Sequence, residues 1–183
     1  MLVAAPTLGC GDDPAPTFID IRWQVRCQLS GGCVNIPDRD INNLDGEDGH
    51  RLACAVNRTA DGNQILSFSA FKGTEYGIEL VGATFATGGG AIMGSGCLVS
   101  VLEGNVHEGS CTSNVPTDVN PCQVNEIAIT NEPDGPTVSG KIFCQQLSAL
   151  ADRGIQREVT APGTDPGAAM QGAEFRLVNC DGL

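Results

Sequence analysis

Phe18-Ile-Asp-Ile-Arg-Trp-Gln-Val-Arg-Cys27 is the stretch that decides the fold class. Ile19, Ile21, Trp23, Val25 and Cys27 point one way, and Asp20, Arg22, Gln24 and Arg26 point the other. A period of two sustained over ten residues predicts a strand with one buried and one wet face. It carries the only tryptophan of the chain and sets a cysteine on the buried face.

Working outward, the same alternation recurs between turn signals. Residues 51–57 place Leu52, Cys54 and Val56 on one face. Asp61-Gly62-Asn63 then suits a hairpin turn, and residues 64–72 set Leu66, Phe68 and Ala70 against Ile65, Ser67, Ser69 and Phe71. Residues 75–85 follow with Tyr76, Ile78 and Leu80 on one side. Glu103-Gly104-Asn105 reads as a hairpin loop. Folding about Gly104 opposes Val101 to His107, Val99 to Gly109 and Cys97 to Cys111, within disulfide reach of each other. Residues 123–130 and 137–144 form a further pair, with Val138, Gly140, Ile142 and Cys144 sharing a face. Gln145 to Arg153 suggests a short helix, residues 160–172 a Pro/Gly/Ala-rich loop, and Phe175 to Cys180 a last strand. Residues 33–50 read as a loop. About nine strands at this spacing predict an all-β fold, an antiparallel β-sandwich or jelly roll with at most one short helix.

Nine cysteines occur in 183 residues: Cys10 near the start and eight through the body. An even set in a Gly- and Pro-rich chain predicts a disulfide framework formed outside the cytosol. Cys97–Cys111 follows from the hairpin register. Cys144–Cys180 suits a long excursion that returns to a terminal strand. The pairing of Cys27, Cys33, Cys54 and Cys122 stays open. Aromatic residues are only 4%, so the core is mostly aliphatic and gains from covalent staples.

Ten basic residues against 22 acidic give a net charge of −12. Such a chain repels phosphate backbones and anionic lipid surfaces, which argues against nucleic acid as a partner. No internal segment approaches the roughly 18 apolar residues of a membrane span.

Leu2-Val-Ala-Ala-Pro-Thr-Leu-Gly-Cys10 resembles the end of a bacterial lipoprotein signal peptide. The resemblance implies that residues 1–9 are a partial signal, that Cys10 carries lipid, and that residues 10–17 tether a single domain over 18–183. Gly96-Cys-Leu-Val-Ser-Val-Leu-Glu-Gly-Asn105, Val138-Ser-Gly-Lys-Ile-Phe-Cys144 and Phe175-Arg-Leu-Val-Asn-Cys180 resemble segments of the cysteine-rich all-β lipoproteins of myxobacterial surfaces. That similarity covers roughly the C-terminal half. It implies an exported domain anchored at the outer membrane or cell surface, and it brings no catalytic residues.

Asp38, Asp40, Asp45, Glu47 and Asp48 crowd one loop with Asn42, Asn43 and Gly46 between them. Hard oxygen ligands with a glycine for a sharp turn suit calcium, although the spacing is not that of an EF-hand; a solvated polar loop accounts for the same residues. The two histidines, His50 and His107, and the absence of any Cys-x-x-Cys pair leave zinc little support. Ser95 lacks the flanking glycine of a nucleophile elbow. Glu79, Glu103 and Glu126 are the acids a glycosidase cleft would draw on. The reading that absorbs most of this is a lipid-anchored surface module, binding or structural and non-catalytic, with a protein or glycan partner met by end loops that include residues 36–50. A secreted carbohydrate-active enzyme and a self-assembling filament or coat subunit are the alternatives.

Overall fold

The computed structural model describes residues 15–27, 36–148, 157–163 and 171–183. Cys10, the signal-like residues 1–9, Cys33 and residues 149–153 of the expected helix lie outside them.

Twelve strands follow in chain order. They are β1 (Phe18–Cys27), β2 (Arg39–Leu44), β3 (His50–Arg58), β4 (Gln64–Lys72), β5 (Tyr76–Phe85) and β6 (Gly89–Gly90), then β7 (Cys97–Glu103), β8 (Asn105–Thr112), β9 (Cys122–Glu132), β10 (Gly135–Leu147), β11 (Arg157–Thr160) and β12 (Ala173–Val178). The opening alternation holds: Ile19, Ile21, Trp23 and Val25 are buried, and the residues between them face outward. Among the described residues the only helical element is a three-residue 3-10 turn, Glu47–Gly49.

The all-β expectation holds, and the described strands belong to one mixed sheet. Along it lie β2, β1, β12, β10 and β9, and then β8, β7, β5, β4 and β3. β11 and β12 lie end to end between β1 and β10. The two halves are joined by a short parallel pairing, Cys111 to Cys122 and Thr112 to Gln123. The sheet folds over so that the inner faces of its halves meet. Phe68 of β4 packs on Phe175 of β12 with ring centres 5.1 Å apart, and Trp23 of β1 meets Tyr76 of β5 edge-on at 6.0 Å. One aliphatic core fills the space between.

Two of the described disulfides join directly opposed cysteines of neighbouring strands. Register places Cys97, Cys111, Cys122 and Cys144 in one row across β7, β8, β9 and β10. Cys97 bonds Cys111, as the hairpin register requires, and Cys122 bonds Cys144. The expected Cys144–Cys180 bridge is therefore corrected. Antiparallel pairing sets Cys144 directly opposite Cys122, whereas Cys180 passes beyond β12 to bond Cys54 of β3. Cys27 is also disulfide-bonded, its partner outside the described residues.

That C-terminal link covers an open sheet edge. On the outer side of β3, the His50 carbonyl accepts from Gly46 N–H, and the Leu52 N–H donates to Asp45 Oδ1. The Cys54 carbonyl accepts from Asp181 N–H, and the Val56 N–H donates to the Asp181 carbonyl. An edge with its polar groups taken is a poor template for a second copy.

Two expectations about elements are overturned, and one strand is unanticipated. Residues 39–44, read as loop, are strand β2, paired with β1 from Phe18–Leu44 to Trp23–Arg39. Ile41 is its one buried apolar residue, too few for alternation to show. Gln145 to Leu147, assigned to a helix, continue β10. Arg157–Thr160 form β11, a strand of four residues that bridges β1 and β10.

Candidate functional site

The wet face of β1 is one strip of a polar platform on the outside of the first half-sheet. Register puts Asn42, Asp20, Arg176 and Ser139 in one row across β2, β1, β12 and β10. Arg22 lies opposite Asp40, and Lys141 lies opposite both Glu174 and Asn125, in the next row. Strands about 4.8 Å apart and like-facing residues nearly 7 Å apart make this a flat grid of side chains.

β9 sharpens the grid with a bulge. Its register with β10 slips between Ser139–Ala128 and Lys141–Asn125, and Glu126 takes the left-handed conformation at φ 54°. The extra residue lets Val124 and Ile127 both stay buried, while Asn125 and Glu126 both face outward. A bulge that re-aims two neighbouring polar side chains is a common device beside functional surfaces.

A wall turns the grid into a groove. Ala161, Pro162, Gln171 and Gly172 form it, and the Thr160 hydroxyl and Ala161 N–H both donate to the Gln171 carbonyl, at 2.7 and 2.8 Å. Gly172 then crosses close over β10, where a Cβ would lie 3.0 Å from that of Lys141. The hollow between wall and sheet is about 980 Å³. Asp20, Glu126 and Glu174 line it with Arg22, Lys141 and Arg176, and Gln123, Asn125, Gln171 and Ser139 add neutral donors and acceptors.

The charges are arranged in pairs. Lys141 Nζ lies 2.7 Å from Glu126 and 3.6 Å from Glu174. The hydrogen bond from Lys141 to Glu126 holds the ammonium above its ordinary pKa, with desolvation opposing it and the charge of Glu174 adding to it. Arg176 donates to Glu132 Oε2 at 2.6 Å and lies 3.8 Å from Asp134. Arg22 pairs with Asp40 at 3.3 Å. Exposed pairs of this kind add about 0–1 kcal/mol each, so their role is to present oriented polar atoms. A second hollow of about 440 Å³ adjoins the first at Arg176, lined by Phe18, Leu44, Val178, Asn42, Asn43 and Asn179 among others.

The residues singled out in the sequence are dispersed. Asp38 is exposed ahead of β2, Asp40 pairs with Arg22, Asp45 holds the β3 edge, and Glu47 and Asp48 sit exposed in the 3-10 turn. Among the described residues no three Asp, Glu, His or Cys side chains gather as a metal site. His50 Nδ1 lies 3.0 Å from the Glu47 carbonyl and 2.9 Å from the Asn43 amide nitrogen, fixing the turn; His107 is wholly buried in the core. Ser95 is exposed before β7.

Of the three acids weighed for a cleft, Glu126 reaches the groove, whereas Glu79 lies on β5 of the other half-sheet and Glu103 is buried. Glu103 is instead structural: Arg39 Nε and Nη2 each donate to it at 2.8 Å, and the same guanidinium lies 4.5 Å from the Tyr76 ring centre. This closes β2 against β5 and β7, and the bond to Glu103 raises the Arg39 pKa. Sequence reading missed Lys141, Glu174 and Arg176, although Arg176 and Glu174 alternate with the inward Phe175 and Leu177, a signal of the same kind as in β1. Comparisons with protein-family models, with curated proteins and with solved structures found no match for this chain.

Proposed function

We propose that the protein is an exported surface module, lipid-anchored through Cys10, that binds an uncharged glycan in the groove on its outer sheet face and does no chemistry on it. The observation that carries this reading is the charge balance of the groove. Three acids face three bases there, in a chain whose net charge is −12. Three of the ten basic residues gather on this one surface. A neutral lining dense in both donors and acceptors suits a ligand rich in hydroxyl groups, each of which donates and accepts. An anionic polymer would meet the field of the whole chain, and a cationic one would find more acid elsewhere.

The volume favours an oligomeric ligand, since it lies at the upper end of small-molecule sites. Disulfides at buried cross-strand positions suit an oxidising compartment. The resemblance to myxobacterial surface lipoproteins supports the same placement. The groove acids support binding better than catalysis: the Glu126 and Glu174 side chains are 61% and 76% exposed, an open setting for a general acid.

The test is a panel of immobilised neutral polysaccharides, such as dextran, xylan, mannan and β-glucan, alongside pectin and heparin as anionic controls. The expected result is retention on at least one neutral member and loss of retention in Lys141→Ala. Retention on the anionic members alone, or on none, would overturn the reading.

A further inference from the structure

We infer that the ligand is a linear chain of several sugar units lying along β12, filling the groove and continuing past Arg176 into the second hollow. This deepens the reading of the groove as a glycan site and rests on it. Glu174, Arg176 and Val178 are successive positions on the outer face of β12, Val178 being covered there. Glu174 lines the first hollow, Val178 the second, and Arg176 both. Four residues of strand span about 13 Å, longer than one sugar ring.

The second hollow differs in chemistry from the first in a way that suits the end of such a chain. Phe18 and Leu44, cross-strand partners on β1 and β2, supply apolar surface there. The exposed Asn42 supplies an amide. Asn43, Asn179, Glu47 and Asp134 line the same hollow, so apolar surface is rimmed by amides and carboxylates, which matches a sugar ring, whose faces carry C–H groups and whose edge carries hydroxyls.

Arg176 is the joint between the two. Its guanidinium is held by Glu132 at 2.6 Å and lies 5.8 Å from the centre of the Phe18 ring. It is thus kept beside the path, with donors left for a hydroxyl that crosses from one hollow to the other. Residues 42–44 belong to the segment expected to present a ligand, and they lie on the edge strand β2.

Calorimetry with size-fractionated oligosaccharides, from disaccharide to octasaccharide, prepared from whichever neutral polysaccharide is retained in the panel, tests this. Affinity should rise with length until both hollows are filled and then level off. Asn42→Ala should weaken the long members roughly 2- to 13-fold, the worth of one net hydrogen bond, and leave the disaccharide unchanged. Lys141→Ala should weaken all members. Equal affinity at every length, or a long-chain affinity indifferent to Asn42→Ala while Lys141→Ala still acts, would overturn the two-hollow inference alone. If no member binds, or if Lys141→Ala changes nothing, the groove reading fails with it.

Discussion

Replacing Arg39 by methionine leaves the Glu103 carboxylate buried without its cation. Glu103 is 3% exposed and Arg39 26%, and two bonds of 2.8 Å join them. Breaking a buried pair from one side costs about 3–5 kcal/mol. Water reaches part of Arg39, so the lower end, about 3 kcal/mol, applies, and losing the cation over Tyr76 adds about 0.5–1 kcal/mol. Glu103→Gln should cost less, because the stranded guanidinium can turn to water whereas the stranded carboxylate cannot. Arg39→Met with Glu103→Leu should recover much of the loss, since two apolar groups in place of a buried pair are often neutral. The assay is urea unfolding with disulfides intact, followed by fluorescence of Trp23, the sole tryptophan, fully buried and in contact with Tyr76. For a domain of this size Arg39→Met should lower Tm by about 7–16 °C. A loss under about 1 kcal/mol, or Glu103→Gln costing more than Arg39→Met, would refute the reasoning.

Gly140→Ala should destabilise by about 1–3 kcal/mol, because its Cβ would lie 2.5 Å from Phe175 Cζ and 3.3 Å from the Asn125 carbonyl oxygen, where Phe175 is pinned against Phe68; thermal unfolding reads it. Changing Cys54 and Cys180 to serine opens a loop of 126 residues, worth about 4–5 kcal/mol on chain entropy. It also loosens the cover of the β3 edge, so concentration-dependent association should appear in light scattering for this variant and not for the parent chain. Burial pushes the Glu158 carboxyl above its ordinary 4.5, with Arg26 opposing. A carboxyl raised in the folded state favours folding at low pH and loses that contribution as pH climbs past 4.5 through the raised value. Glu158→Gln should therefore be neutral or stabilising at pH 7 and should flatten the stability profile above pH 4.5; destabilisation at pH 7 would contradict it.

What sequence revealed follows from what alternation encodes. β1, β3, β4 and the β7–β8 hairpin were legible because each has several inward apolar residues, and a period of two survives reading one strand at a time. The wet face of β1, with Asp20 and Arg22, was legible for the same reason and supplies one strip of the groove. β2 was not, since an edge strand with Ile41 as its one buried apolar residue reads as a polar loop. That reading also made Asp38 to Asp48 look like one cluster. In the structure the strand and the turn after it send Asp40 to Arg22 and Asp45 to the β3 backbone. Cross-strand neighbours are set by register between distant segments. Glu174 beside Lys141, or Cys122 beside Cys144, leaves no mark on either segment alone. The bulge at Glu126 is hidden likewise, because it depends on how β9 and β10 slip past each other.

On the proposed reading, the ion pairs of this half-sheet, each of small individual worth, serve the groove. Each pair fixes the direction of a donor or acceptor that would otherwise wander, and a pre-oriented surface loses less entropy when it binds. If the ligand is uncharged as proposed, its affinity should change little with salt, unlike that of a charged ligand.

Backbone amide shifts of the nitrogen-15-labelled protein, followed while a neutral oligosaccharide retained by the panel is added, would test the groove most directly. The expected result is saturable change at Asn125, Ser139, Lys141, Gln171 and Glu174, with the outer faces of β3, β4 and β5 unmoved. Shifts confined to the 45–50 turn or to the opposite half-sheet, or none at saturating sugar, would contradict it.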